Sequence, residues 1–148
     1  MLETNGFCVF QANDLNTCMN CPRKRNSLFS ELSLPELEVL NRNRYEVNYK
    51  PGEMICKEGT KPPGLICLNA GKVKISRQNA QGVEQIVSLK KPVDFIGFRT
   101  LMSGRHFQTS AVALGESSVC IIEKNDFFKV IANNSRLAFK LIRFFATE

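Results

Sequence analysis

The feature that most constrains this chain is a rhythm of short strand-like runs closed by turn residues. Tyr45, Val47 and Tyr49 alternate with polar residues, and Pro51-Gly52 turns the chain. Met54-Ile55-Cys56 is stopped by Glu58-Gly59, and Pro62-Pro63-Gly64 precedes Leu65-Ile66-Cys67-Leu68. Asn69-Ala70-Gly71 leads into Lys72-Val73-Lys74-Ile75, and Ala80-Gln81-Gly82 into a strand from Val83 to Leu89. Phe95-Ile96-Gly97, Ala111 to Leu114 and Val119 to Ile122 complete the series, the last two flanking Gly115-Glu116-Ser117. About eight short strands, recurring roughly every 8–12 residues, predict a mainly β fold: a sandwich, jelly roll or barrel.

Helical signals bracket this stretch. Ser33-Leu34-Pro35-Glu36 starts a helix: Ser33 caps, Glu36 reaches back and Pro35 suits the first turn. Leu34, Leu37, Val39 and Leu40 supply an apolar stripe ending near Asn43. After Glu123 the rhythm stops, and Asn125 or Asp126 caps a helix running to Val130 or Ile131. Asn133-Asn134-Ser135 interrupts it. A final helix from Arg136 to Phe145 carries Leu137, Leu141 and Phe144 at i, i+4 and i+7, with Ala138, Ile142 and Phe145 widening that face. Such a helix either packs on its own roll or is the start of a longer one that needs a partner. Residues 1–27 read as an arm, because Asn5, Gly6, Asn13, Asp14, Asn16, Asn20 and Pro22 break every period. The expected division is arm 1–27, roll 28–131 and the start of a long helix at 132–148.

Composition removes most chemistry. His106 is the only histidine of 148 residues, which leaves multi-histidine zinc sites and most Ser–His or Cys–His nucleophile pairs without their base or ligands. Gly71-Lys72 is followed by Val73, so it is no phosphate loop, and no Gly-x-Ser-x-Gly elbow occurs. The chain is therefore not read as an enzyme. No apolar run is long enough for a membrane helix and no secretory signal opens the chain, so the expected location is cytoplasmic and no membrane partner is expected. The net charge of +6 is a mild pull on anions, and the clusters Arg23-Lys24-Arg25 and Asn41-Arg42-Asn43-Arg44 read as solvated faces. Six cysteines in such a chain are expected to be reduced thiols.

Helix, Gly-punctuated roll, short helix and long helix, in that order, resemble the sensory domain of a CRP/FNR-type bacterial transcription regulator. Tyr49-Lys50-Pro51-Gly52-Glu53 through Gly59 resembles that family's first roll segment, and Leu68-Asn69-Ala70-Gly71-Lys72-Val73-Lys74 its second glycine turn. Asp94-Phe95-Ile96-Gly97-Phe98 opens the segment that cradles the phosphate in nucleotide-binding members. The resemblance spans about Leu28 to Phe145. It implies a double-stranded β-helix, a jelly roll like the cyclic nucleotide-binding domain, with helices at both ends.

The resemblance also implies where function sits. The pocket would be made by Gly97, Phe98, Arg99, Thr100, Gln108, Thr109 and Ser110. Nucleotide-binding members place Glu after the glycine and Arg before the Ser/Thr-Ala; here Phe98 and Thr109 stand there, and Arg99 and Arg105 fall at other spacings. The bidentate guanidinium contact to phosphate is lost, so the domain is not expected to hold a cyclic nucleotide in the usual way. Phe98 is expected to fill the pocket. The family's oxygen sensor holds an iron–sulfur cluster on three arm cysteines and one in the roll. Cys18, Cys21 and Cys120 match three of those positions, while the third arm position falls near Ser27. Three readings stay open: free thiols, with Cys56, Cys67 and Cys120 as small buried hydrophobes; an iron–sulfur cluster, with Cys8 as substitute; or zinc. Leu137, Leu141 and Phe144 would form the seam of a homodimer. The effector, a small molecule or a redox signal, is unidentified. DNA would be reached only through a C-terminal helix-turn-helix that this stretch does not contain. The alternative is a stand-alone ligand-, redox- or metal-sensing module without DNA binding.

Overall fold

The computed structural model describes residues 32–147. The arm 1–27, with Cys8, Cys18, Cys21 and the Arg23-Lys24-Arg25 cluster, lies outside the described residues.

The first helix, α1, spans Leu34–Arg42. Its start is the reciprocal capping box expected from the sequence: Ser33 Oγ accepts from the Glu36 N–H, and Glu36 Oε1 accepts from the Ser33 N–H at 2.9 Å. Eight strands follow: β1 Tyr45–Tyr49, β2 Met54–Cys56, β3 Gly64–Ala70, β4 Val73–Gln78, β5 Glu84–Lys90, β6 Phe95–Ile96, β7 Ser110–Ala113 and β8 Ser117–Glu123. A short helix, α2 (Phe98–Ser103), interrupts them between β6 and β7. Two helices close the described stretch, α3 (Lys124–Ala132) and α4 (Ser135–Thr147).

The strands form two four-stranded antiparallel sheets, ordered β1-β8-β3-β6 and β2-β7-β4-β5. Every neighbouring pair of strands is antiparallel and strands distant in sequence are neighbours, which makes the fold the expected jelly roll. The first sheet is buried on both faces. Along β3, Ile66 and Leu68 face the space between the sheets, whereas Leu65 and Cys67 face the helices. In β8, Val119 and Ile121 point one way, Cys120 and Ile122 the other. That two-sided burial explains why Leu65 to Leu68 reads as an unbroken apolar run rather than an alternation. By contrast β5, at the edge of the second sheet, leaves Ile86, Val87 and Leu89 exposed.

The turn glycine expected at Gly71 has a physical cause. Its φ is +103°, and a Cβ there would run into Ser117 and the Glu116 carbonyl.

Two local expectations are corrected. Neither Asn125 nor Asp126 caps α3; Glu123 does, its carboxylate accepting from the N–H of Asn125 and of Asp126, each at 3.0 Å. Asp126 is instead buried in the first turn, where its carboxylate accepts from Arg42 Nη2 at 3.1 Å and Asn43 Nδ2 at 2.9 Å. It ties α3 to the end of α1. The second correction concerns α4. Leu137 and Leu141 are each only 2% exposed and belong to the core beneath α1 and α3, so they do not form an outward seam. Phe144, half-buried, packs against that same core. The side of α4 left to solvent carries Phe139 and Ile142, 59% and 64% exposed.

Candidate functional site

A cavity of about 450 Å³ opens between the β4–β5 hairpin, the turn before β6, α2 and β7. Its size falls in the range that small organic ligands occupy. Gly97, Phe98, Arg99, Thr100 and Thr109 line it, five of the seven pocket residues expected from the sequence. The other two do not. Gln108 is exposed, and Ser110 begins β7 on the far side, where its Oγ accepts from the Glu58 N–H at 3.1 Å. Gln108 and Thr109 lie in the bend before β7, which turns Thr109 alone toward the cavity.

Gly97 is the hinge of the site. It sits at φ +71° just before α2, and a Cβ there would meet the ring of Phe107. Phe107 is in turn fixed by its backbone: its N–H donates to Thr60 O at 2.8 Å and its carbonyl accepts from Gly59 N at 2.7 Å. Periodicity gives no sign of α2, because six residues with only Phe98 and Leu101 buried make less than two turns of stripe.

Phe98 lines the cavity and is also only 6% exposed in the core. Its ring stacks on Phe144 of α4, with centroids 5.3 Å apart and planes 28° apart. It meets Phe95 edge-on at 5.2 Å and Phe127 of α3 at 6.4 Å. Phe98 thus forms one wall of the cavity without filling it, and Phe144 lines the cavity beside it.

Several lining residues carry no recognisable motif. Val93 adopts φ +70°, a strained value for a β-branched residue, held by its N–H donating to Leu68 O at 2.9 Å. Cys56 lines the inner end, where burial pushes its thiol up to about 12. Lys90 and Asp94 bring charges; Asp94 Oδ2 already accepts from the Lys91 N–H at 3.0 Å. His106 is exposed in the loop after α2 and does not line the cavity.

Cys120 lies on the other side of the first sheet, away from the cavity. Glu46, Cys120, Cys67 and Phe95 form one cross-strand row facing the helices. The Cys120 thiol donates to Glu46 Oε2 at 3.4 Å, and burial, with the Glu46 charge adding to it, pushes it up to about 12. Glu46 Oε2 also accepts from Asn69 Nδ2 at 3.3 Å and pairs with Arg44 at 3.7 Å. The Cys120 thiol is thus buried among β1, β3 and β8 with Glu46 as its partner. Among the described residues no group of three His, Cys, Asp or Glu side chains is placed to hold a metal. Cys18 and Cys21 lie outside those residues.

No described helix is long and apolar enough to cross a membrane. The cyclic nucleotide-binding domain model matches residues 46–134. The nitrogen fixation regulation protein FixK of Bradyrhizobium diazoefficiens is 27% identical over 93% of this chain, and the transcriptional activatory protein AadR of Rhodopseudomonas palustris 23% identical over 87%. The chain spans 53% of the length of each of these two relatives. In structure it resembles the sensor domain of the transcriptional regulator DNR from Pseudomonas aeruginosa, with a TM-score of 0.79 at 20% identity, covering 90% of this chain and 88% of that one. AadR and DNR are named as transcriptional regulators and FixK as a regulation protein, in keeping with the CRP/FNR resemblance drawn from the sequence. With more than half of its length matched by the family model, and the roll and cavity in place, the chain belongs to the cyclic nucleotide-binding domain family.

Proposed function

We propose that this chain is the effector-sensing and dimerising part of a cytoplasmic transcription regulator, with arm 1–27, roll 28–131 and a helix from 132 onward. The observation that carries the reading is Phe98, which lines the cavity and stacks on Phe144 of α4. A ligand that displaces the Phe98 ring must move the helix packed on it, because close-packed aromatic faces do not deform gradually. Two α4 helices, paired through the outward Phe139 and Ile142, would carry that shift to DNA-binding domains in the rest of the regulator. The cavity is not expected to hold a cyclic nucleotide in the usual way, since Phe98 and Thr109 replace the ribose- and phosphate-holding side chains.

The dimer reading is tested by Ile142→Glu, measured by solution mass and far-ultraviolet circular dichroism. The expected result is a folded monomer where the parent chain is a dimer. A dimer that survives this change, and Phe139→Glu as well, overturns the assignment of the partner face. Calorimetric titration with cyclic AMP is expected to show no saturable heat; tight one-to-one binding would overturn the reading of the altered cassette.

A further inference from the structure

We propose that the cavity takes a monoanion with a flat apolar body, such as a hydrophobic organic acid. This inference rests on the effector-sensing reading of the same cavity and adds the chemical class of the ligand. The inner wall is apolar and largely aromatic: Ile96, Phe98, Phe107 and Phe144 line it, with Ile75 and Ala111 behind them. Lys90 and Arg99 also line it, and neither makes an ion pair among the described residues. Asp94 is the one acid among the lining residues, and its carboxylate is already engaged by the Lys91 N–H. Two cations against one acid leave a single positive charge to be met.

Each rival ligand class leaves something unmatched. A neutral apolar molecule fits the wall but leaves the half-buried Lys90 and the exposed Arg99 at its rim without a counterion. A cyclic nucleotide also meets the charge, but its base would lie against phenylalanine rings, with only the Ser88, Thr100 and Thr109 hydroxyls and the engaged Asp94 for its many polar edges. An apolar body with one acid group satisfies both surfaces. Thr100 and Thr109 add neutral hydroxyls beside it. Val87, 52% exposed on the edge strand, stands where such a ligand enters.

The test uses the full chain and two fluorescent probes of nearly the same body. One is the anion 1-anilinonaphthalene-8-sulfonate and the other the uncharged N-phenyl-1-naphthylamine. The expected result is one saturable site per chain that prefers the anion by about tenfold or more, the scale of one charge-assisted contact. Lys90→Gln combined with Arg99→Gln should abolish that preference by weakening the anion alone. Val87→Trp, at an exposed position that tolerates bulk, should weaken both probes. Equal affinity for the two probes, a preference that survives the double change, or displacement of the anion by cyclic AMP at comparable concentration overturns the ligand class while leaving an effector cavity in place. Binding untouched by Val87→Trp puts the probes on the exposed apolar strips and overturns it too. If neither probe nor cyclic AMP binds, the effector-sensing reading falls with it.

Discussion

Val93 and Gly97 hold positive φ angles of 70° and 71° four residues apart, on either side of β6. For glycine this conformation costs nothing sterically; for a β-branched residue it stores strain, here in the cavity wall. The two positions bend the chain into and out of β6 and so aim Phe95 and Phe98 at the same aromatic cluster. Gly97→Ala should therefore be disproportionately harmful. Its backbone leaves the favoured region and its methyl group meets Phe107. The expected loss is about 1–3 kcal/mol, read as a lower denaturant midpoint at unchanged slope. A midpoint equal to that of the parent would mean that the turn at Gly97 does not depend on its positive φ.

At the scale of the element, the two ends of the domain are joined by polar side chains that the helices leave over. Glu36, which caps α1, also accepts from Asn134 Nδ2 at 2.8 Å, while Asn134 Oδ1 accepts from the Leu137 N–H at 2.9 Å and so caps α4. Partial burial works against ionising Glu36, but the bonds from Ser33 and Asn134 outweigh it and hold its carboxyl below the usual range. Ser33→Ala removes one partner and should cost about 1 kcal/mol in thermal or denaturant unfolding. The helix α4 separates two substitutions that look alike in sequence. Leu141→Glu puts a charge into the core and should unfold the domain, visible as lost ellipticity and a broad or absent melting transition. Ile142→Glu should leave the fold intact. Equal behaviour of the two variants would refute the face assignment of α4.

Across the whole molecule, the first sheet divides the interior into a core beneath the helices and a core between the sheets. Each holds a cysteine whose thiol is raised by burial, Cys120 in the first and Cys56 in the second. The folded state keeps these protons from the ordinary value of 9.0 up to about 12, whereas the unfolded chain releases them near 9.0. Within that window the native state binds more protons, so stability falls as pH rises. Tyr49, raised by partial burial, works in the same direction. Denaturant midpoints in reducing buffer should be level from neutral pH to about 8 and then decline toward pH 11. Cys56→Ala combined with Cys120→Ala should flatten that decline, and a decline unchanged by the pair would assign it to other groups.

Strand rhythm, turn glycines and the Ser33 capping box were legible in the sequence, because each depends on residues a few positions apart. Backbone reversals need particular residues at particular spacings, and burial on one or both faces sets the period of apolar positions. The segment from Gly97 to Thr100 and the departures at Phe98 and Thr109 were legible only through the resemblance to the CRP/FNR family. Other features depended on which neighbours the fold supplies. The apolar positions of α4 show that it has a buried face, but not whether its own roll or a second copy does the burying; the roll took Leu137 and Leu141 and left out Phe139 and Ile142. Asp126 read as a cap until the end of α1 arrived beside it, 84 residues away in sequence for the Arg42 contact. Cys120, matched to a ligand position by the family resemblance, lies buried in the core beside Cys67, a placement set by the pairing of β1, β8 and β3. Lys90, Asp94 and Val93 carry no signal of their own, and only the closing of the β4–β5 hairpin over α2 makes them walls of one cavity. Short-range order follows from local sterics and hydrogen bonding. The site follows from long-range packing, which places side chains together irrespective of their spacing along the chain.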